Sequence, residues 1–281
     1  MSYKTILVHC DASEFVSARL SVAVELGQRF GARLVGLHAR APFAPPVLFE
    51  NAAPMDDFYR AYEDDARTER AAALDAFNEA LKGAAVAHEW QAVDGFADNA
   101  IIAGARYADL VVVGQRPPAT DKYTPTPSDL AETVTLSSGC AVLVVPHIGV
   151  RTAPGKTVML CWNASRESAR AASQAMPLLK AAGKVIVLIV DDKKSTPPAG
   201  GADTGVDVAT WLSRHGVKAT VKHDTAADTD VGSIILSRAA DMGADLIVMG
   251  LYGRSRMREL ILGGASRTLL GSMTVPALMA H

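Results

Sequence analysis

The stretch Ala244–Thr268, ADLIVMGLYGRSRMRELILGGASRT, decides how this chain folds. Its opening run, Leu246 to Met249, is short and aliphatic, the pattern of a strand buried on both faces of a parallel sheet. The run stops at Gly250, and Gly253 follows after two residues. After nine more come Gly263 and Gly264, then Ala265, Ser266 and a helical pattern. Glycine tolerates positive φ and leaves no Cβ between a ligand and the main chain. Amides just past a strand and at a helix N-terminus are unpaired and lie at the positive end of the helix dipole. Strand, glycine loop and helix together describe an anion site, of the kind that takes a phosphate chain.

Working outward, the same plan occurs twice. Lys4-Thr5-Ile6-Leu7 returns as Lys156-Thr157-Val158-Met159, and Asp11-Ala12-Ser13 as Asn163-Ala164-Ser165. The run from Ala108 to Gly114, ADLVVVG, returns from Ala244 to Gly250 as ADLIVMG, and the copies end alike in His147 and His281. In the first copy the pattern predicts strands over Lys4–Cys10, Leu34–Ala39, Val86–Val93, Leu110–Val113 and Ala141–Val145. Helices are predicted over Glu14–Phe30, Asp56–Lys82, Asp98–Tyr107 and Ser128–Ser138. Pro146–Gly155 reads as a linker between domains 1-148 and 155-281. Alternation of this kind implies an α/β fold of two tandem, doubly wound domains, each a five-stranded parallel sheet covered on both faces. Ligands of such sheets bind beyond the carboxyl ends of the strands, where the strand order reverses.

Composition agrees with two domains and narrows the partners. The 281 residues are 49% apolar, enough for two cores. A formal charge of −2 gives no basic footprint for nucleic acid. No apolar run approaches the roughly 18–20 residues of a membrane span. The N-terminus runs directly into a strand without signal-peptide architecture. Cys10, Cys140 and Cys161 form no metal-type pair, and a reduced cytoplasm is the expected compartment.

Gly250-x2-Gly253-x9-Gly263, with its strand before and helix after, resembles the signature Gly-x2-Gly-x9-Gly-Ser/Thr of the nucleotide-binding branch of the universal stress protein family. The resemblance covers almost the whole chain in tandem form and implies strand order 3-2-1-4-5, so that Asn163 and Gly250 face each other across one pocket. The implied ligand is ATP, or ADP or AMP in its place, with or without Mg²⁺. In that family the glycine loop holds phosphates and ribose. This assigns Met249, Gly250, Gly253, Arg254, Gly263, Gly264, Ala265 and Ser266 to the phosphate end. Cys161, Trp162 and Asn163 would lie along the adenosine, and Val190 would offer main-chain groups to adenine. Two departures stand out: Gly264 replaces the hydroxyl residue, and Asn163 replaces an Asp that could hold a metal.

The first copy has lost the motif. Gln115-Arg116-Pro117-Pro118 follows Gly114, Asp129 and Leu130 stand where Gly263 and Gly264 do, and proline has no amide to offer phosphate. The first half is therefore expected to serve as a built-in dimer partner. In single-domain relatives subunits pair, commonly through the last strand; here Ala141–Val145 and Val275–Met279 would meet within one chain. A further homodimer and an unidentified protein partner stay open. The mechanism implied is a ligand-dependent switch, with nucleotide ordering the loop from Leu251 to Leu262. Slow ATP hydrolysis is left open, although no base for water stands out.

Two other readings compete. One is a scaffold or adaptor that binds no nucleotide. The other is a site for a different small ligand or a metal at His9 and His38, which close two neighbouring strands. Gly155-Lys156-Thr157 imitates the end of a P-loop, but Val150 stands where its first glycine belongs, and the residues lead into a strand rather than out of one.

Overall fold

A computed structural model describes residues 2–42, 55–116, 127–150, 154–192, 204–227, 229–251 and 264–281. The first half runs β1 (Thr5–His9), α1 (Val16–Phe30), β2 (Arg33–Arg40), α2 (Met55–Leu81), β3 (His88–Asp94), α3 (Ala97–Ala105), β4 (Leu110–Gly114), α4 (Leu130–Ser138) and β5 (Ala141–Val145). The second runs β6 (Thr157–Cys161), α5 (Arg166–Gln174), α6 (Met176–Ala181), β7 (Lys184–Asp192), α7 (Thr204–Arg214), β8 (Ala219–Ala226), α8 (Val231–Asp241), β9 (Leu246–Gly250), α9 (Gly264–Ser272) and β10 (Ala277–Ala280). All the strands join one ten-stranded sheet, ordered β3-β2-β1-β4-β5-β10-β9-β6-β7-β8. Each half thus has the order 3-2-1-4-5, read inward from its own edge.

Within a half, neighbouring strands are parallel. The seam between halves is the antiparallel pair β5–β10, in the register Ala277↔Val144, Leu278↔Leu143 and Met279↔Val142. This is the contact expected of the last strands, although β10 starts at Ala277, just past Pro276. Alternate side chains feed two continuous cores. Ile6, Val8, Val158, Leu160 and Leu278 pack under α1, α2, α5, α6 and α7. Leu7, Val111, Val142, Ile247 and Met279 pack under α3, α4, α8 and α9.

The repeated Ala-Asp before β4 and β9 has a structural reason. Asp109 accepts from the amides of Lys4 (2.7 Å) and Thr5 (2.9 Å). Asp245 accepts from Gly155 (2.9 Å), Lys156 (3.1 Å) and Thr157 (3.1 Å). Each carboxylate pairs amides at the start of its half's first strand. The P-loop look-alike therefore does cradle an anion, and the anion is the protein's own Asp245.

One expected equivalence is displaced. Gly114 pairs with Val145 and Gly250 with Ala280, so His281 corresponds to Pro146, and His147 lies one residue further on.

Candidate functional site

Strands 1 and 4 of each half lie side by side, which puts a crevice at their carboxyl ends. The two crevices are built differently.

In the first half the crevice is filled from within. The α1 positions Val16, Arg19, Leu20, Ala23 and Gly27 are buried at helical spacing, so Arg19 stands in an apolar stripe. It is 4% exposed and pairs with Asp11, the residue just beyond Cys10. A Cβ on Gly114 would collide with its guanidinium, so the glycine that closes β4 makes room for Arg19. Burial works against the charge of Asp11, but Arg19, His9 and hydrogen bonds from Ser13 Oγ and N outweigh it and hold the carboxyl well below its usual range. Sequence reasoning passed over Arg19. Its signal was a lone charge at a core-facing helical position.

His9 and His38 are both buried. Burial lowers the His9 pKa to about 4, against a smaller upward pull from Asp11. By strand parity His9 leaves β1 on the face of Leu7, whereas His38 stacks on Trp90 on the opposite face, with its Nδ1 2.9 Å from the Cys10 carbonyl. His9 Nδ1 and His38 Nε2 have no hydrogen-bond partner among the described residues. No group of three or more His, Cys, Asp or Glu side chains suited to a metal occurs among those residues either.

In the second half Cys161 is the last residue of β6, and burial pushes its thiol up to about 12. Trp162 packs on the core under α5–α7, and its Nε1 has no hydrogen-bond partner among the described residues. Asn163 is exposed, and its Oδ1 accepts from Ser165 N at 3.1 Å. Ser165 in turn caps α5 through Ser168 N, 3.1 Å away. Ala164 between them holds φ at 55°, a left-handed conformation worth roughly 1–2 kcal/mol of strain for a residue with a Cβ.

Gly250 lies opposite this loop, but its first duty is packing. A Cβ there would stand 2.6 Å from the Glu167 carbonyl carbon and the Ser168 nitrogen, so α5 sits directly on the strand end. Glu167 is buried at that contact, and Arg166 Nε donates to its carboxylate at 2.5 Å. This pair had no signature in the sequence.

The remaining assigned residues divide. Met249 is a core side chain, 6% exposed, under α8 and α9. Val190 does not close its strand, because β7 continues to Asp192, and Val190 pairs with Asp224 of β8. Gly264 opens α9 and is exposed, Ala265 is half-buried, and Ser266 is 4% exposed. A Cβ on Gly264 would stand 3.3 Å from Asp230 Oδ1, so a side chain there requires that carboxylate to give by a few tenths of an ångström. Gly253, Arg254 and Gly263 lie outside the described residues, as do Pro117 and Pro118.

The fold and these crevices define a class: a duplicated, doubly wound α/β protein with one carboxyl-edge crevice plugged by its own arginine. The model of the universal stress protein family matches residues 2–146 and again 155–281. The chain belongs to that family. Among solved structures it is similar to a universal stress protein from Archaeoglobus fulgidus, 17% identical over 98% of this chain and 97% of that one, with a TM-score of 0.71. A functionally unknown protein from Pseudomonas aeruginosa PAO1 is 14% identical over 99% and 92%, at TM-score 0.58. A putative universal stress protein from Pseudomonas aeruginosa UCBPP-PA14 is 15% identical over 99% and 93%, at TM-score 0.55. No curated protein sequence matches the chain. Among the described residues no helix is long and apolar enough to cross a membrane.

Proposed function

We propose that the chain binds one adenine nucleotide, ATP or its di- or monophosphate, at the carboxyl ends of β6 and β9, and acts as a ligand-dependent switch. The observation that carries this reading is the contrast between the two crevices. In the first, Arg19 and Asp11 neutralise each other in the space beside Gly114. The repeat spacing that matches Ser13 to Ser165 matches Arg19 to Ala171, so among the described residues a methyl group stands in the second half where the first has its arginine. The second half has instead α9, whose described residues begin at the exposed Gly264, and a helix N-terminus carries unpaired amides and the positive end of the dipole.

Calorimetric titration of the intact chain with ATP and AMP, with and without Mg²⁺, tests the proposal beside Gly253→Val. Saturation near one nucleotide per chain, lost in the variant, is the expected result. Two per chain would contradict the plugged first half. A single observation favours a scaffold without ligand: Gly250 is already required by the packing of α5. No binding heat and no thermal shift at millimolar nucleotide would select that reading.

A further inference from the structure

Equivalent positions in the two halves can be compared directly, and one pair departs from the symmetry. Gln115 and Leu251 each follow the glycine that closes a fourth strand. Both amides donate to the neighbouring last strand at 2.8 Å, Gln115 to Val145 and Leu251 to Ala280. Leu251 is fully buried and its side chain brings no polar atom. Gln115 is 5% exposed, and both ends of its side-chain amide are used. Its Nε2 donates to the Leu270 carbonyl at 2.8 Å, across the boundary between the halves. Its Oε1 accepts from the His147 backbone amide at 3.1 Å and lies 2.9 Å from His147 Nδ1. This orientation is forced, because a main-chain carbonyl can only accept and a main-chain N–H can only donate.

Leu270 lies in the last turn of α9, where carbonyls have no donor four residues ahead within the helix. A side chain from the first half therefore caps the far end of the helix whose near end faces the second crevice. The cap itself is braced. Gly114, just before Gln115, is packed against Arg19, and Arg19 is tied to Asp11.

We infer that Gln115 is a positioning residue for the second-half site: it holds α9 at its C-terminal end, so that the amides opening at Gly264 are presented from a fixed helix. This rests on the nucleotide reading given above. The nine described residues of α9 span only roughly 13 Å, so freedom at Leu270 is freedom at Gly264. The plugged half then has a task, since its filled crevice steadies the residue that steadies the site. Gln174 and Arg170 of α5 make a separate tie in the reverse direction, to the Gly139 carbonyl.

The test uses the full chain and two variants. Gln115→Met keeps length and removes the donor. Gln115→Glu keeps length and an acceptor for His147 but turns a carboxylate toward the Leu270 carbonyl. Hydrogen exchange is followed over α9 and α4, and ATP and AMP affinities are measured at a temperature where each variant is fully folded. The expected result is exchange in α9 faster by about five- to tenfold, the equivalent of one buried hydrogen bond, with α4 unchanged and nucleotide bound more weakly by a similar factor. Unchanged exchange of α9 in both variants would overturn the inference whether or not nucleotide binds. Faster exchange with wild-type affinity would overturn the link to the site. A wild-type chain that takes no nucleotide removes the function reading and with it the ligand role, while the exchange result still shows whether Gln115 clamps the helix.

Discussion

Asp11, Arg19 and His9 form a buried electrostatic group whose behaviour with pH follows from signs alone. The imidazole of His9 prefers to be neutral in the folded chain, its pKa lowered to about 4 chiefly by burial. The unfolded chain binds that proton near pH 6.5. Between those values the unfolded state holds more protons, so stability falls as pH drops from about 6.5 toward 4, by at most about 3 kcal/mol. Asp11 has the opposite charge but acts in the same direction at lower pH. Its carboxyl stays ionised in the folded state below the usual carboxylate range, so its contribution is lost only under stronger acid. Denaturant unfolding of the wild type at pH 7.5 and 5 should show the loss, and His9→Gln should flatten it. Equal slopes in the two proteins would remove His9 as the cause. Arg19 explains why this group exists: a charge set in the α1 stripe could be buried only against a partner. The helix was legible in the sequence. The partner was not, because Asp11 lies beyond the strand end and reaches Arg19 only once α1 has folded back over β1 and β4.

At the scale of elements, the strands and helices of the first half were readable to within a few residues, because its buried strands are aliphatic runs and its helices carry their own period, whereas the break between α5 and α6 in the second half was not. Their contacts were less so. The glycine pattern of the loop points to ligand approach, yet Gly250 is held by the first turn of α5, more than eighty residues earlier in the chain. Gly232 is similar: a Cβ there would stand 2.6 Å from the Ala265 carbonyl oxygen and 2.7 Å from Thr268 Cβ, which locks α8 onto α9. Close approach of two elements leaves no local periodicity to read. Gly250→Ala separates the two duties. Its methyl would press on main-chain atoms of Glu167 and Ser168, which cannot rotate away, so about 1–3 kcal/mol of stability should be lost without any nucleotide present. A thermal melt of the unliganded variant matching the wild type would show that α5 can yield, and would return Gly250 to ligand approach alone.

The whole molecule is one sheet because the β5–β10 seam is dry. Val142, Leu143, Val144, Ala277, Leu278 and Met279 are all buried there, and polar ties run around it. Tyr3 Oη donates to the Gln174 carbonyl at 2.9 Å, and Arg29 donates to the carbonyls of Pro154 (3.0 Å), Gly155 (3.4 Å) and Ala181 (3.1 Å). The duplication was visible in the sequence as matching residues. The joining of the last strands was expected from family resemblance, whereas its antiparallel sense and these ties, between residues more than a hundred positions apart, had no sequence signature. If the seam holds the halves together, a cut in the linker should leave them associated, since the apolar strand edges have nowhere better to go. Replacing Leu278, fully buried against Leu143, with Asp would put an unpaired carboxylate into the seam. That change should cost several kcal/mol. It should also weaken the paired halves more than either half alone. Sedimentation of the linker-cut chain reads both effects. One species of full mass is expected for the wild type, and separated or aggregated halves for Leu278→Asp. Halves that separate freely in the wild type would mean that the polar ties and the seam do not suffice without the covalent link, and would assign the tandem arrangement itself the role of holding α9 against Gln115.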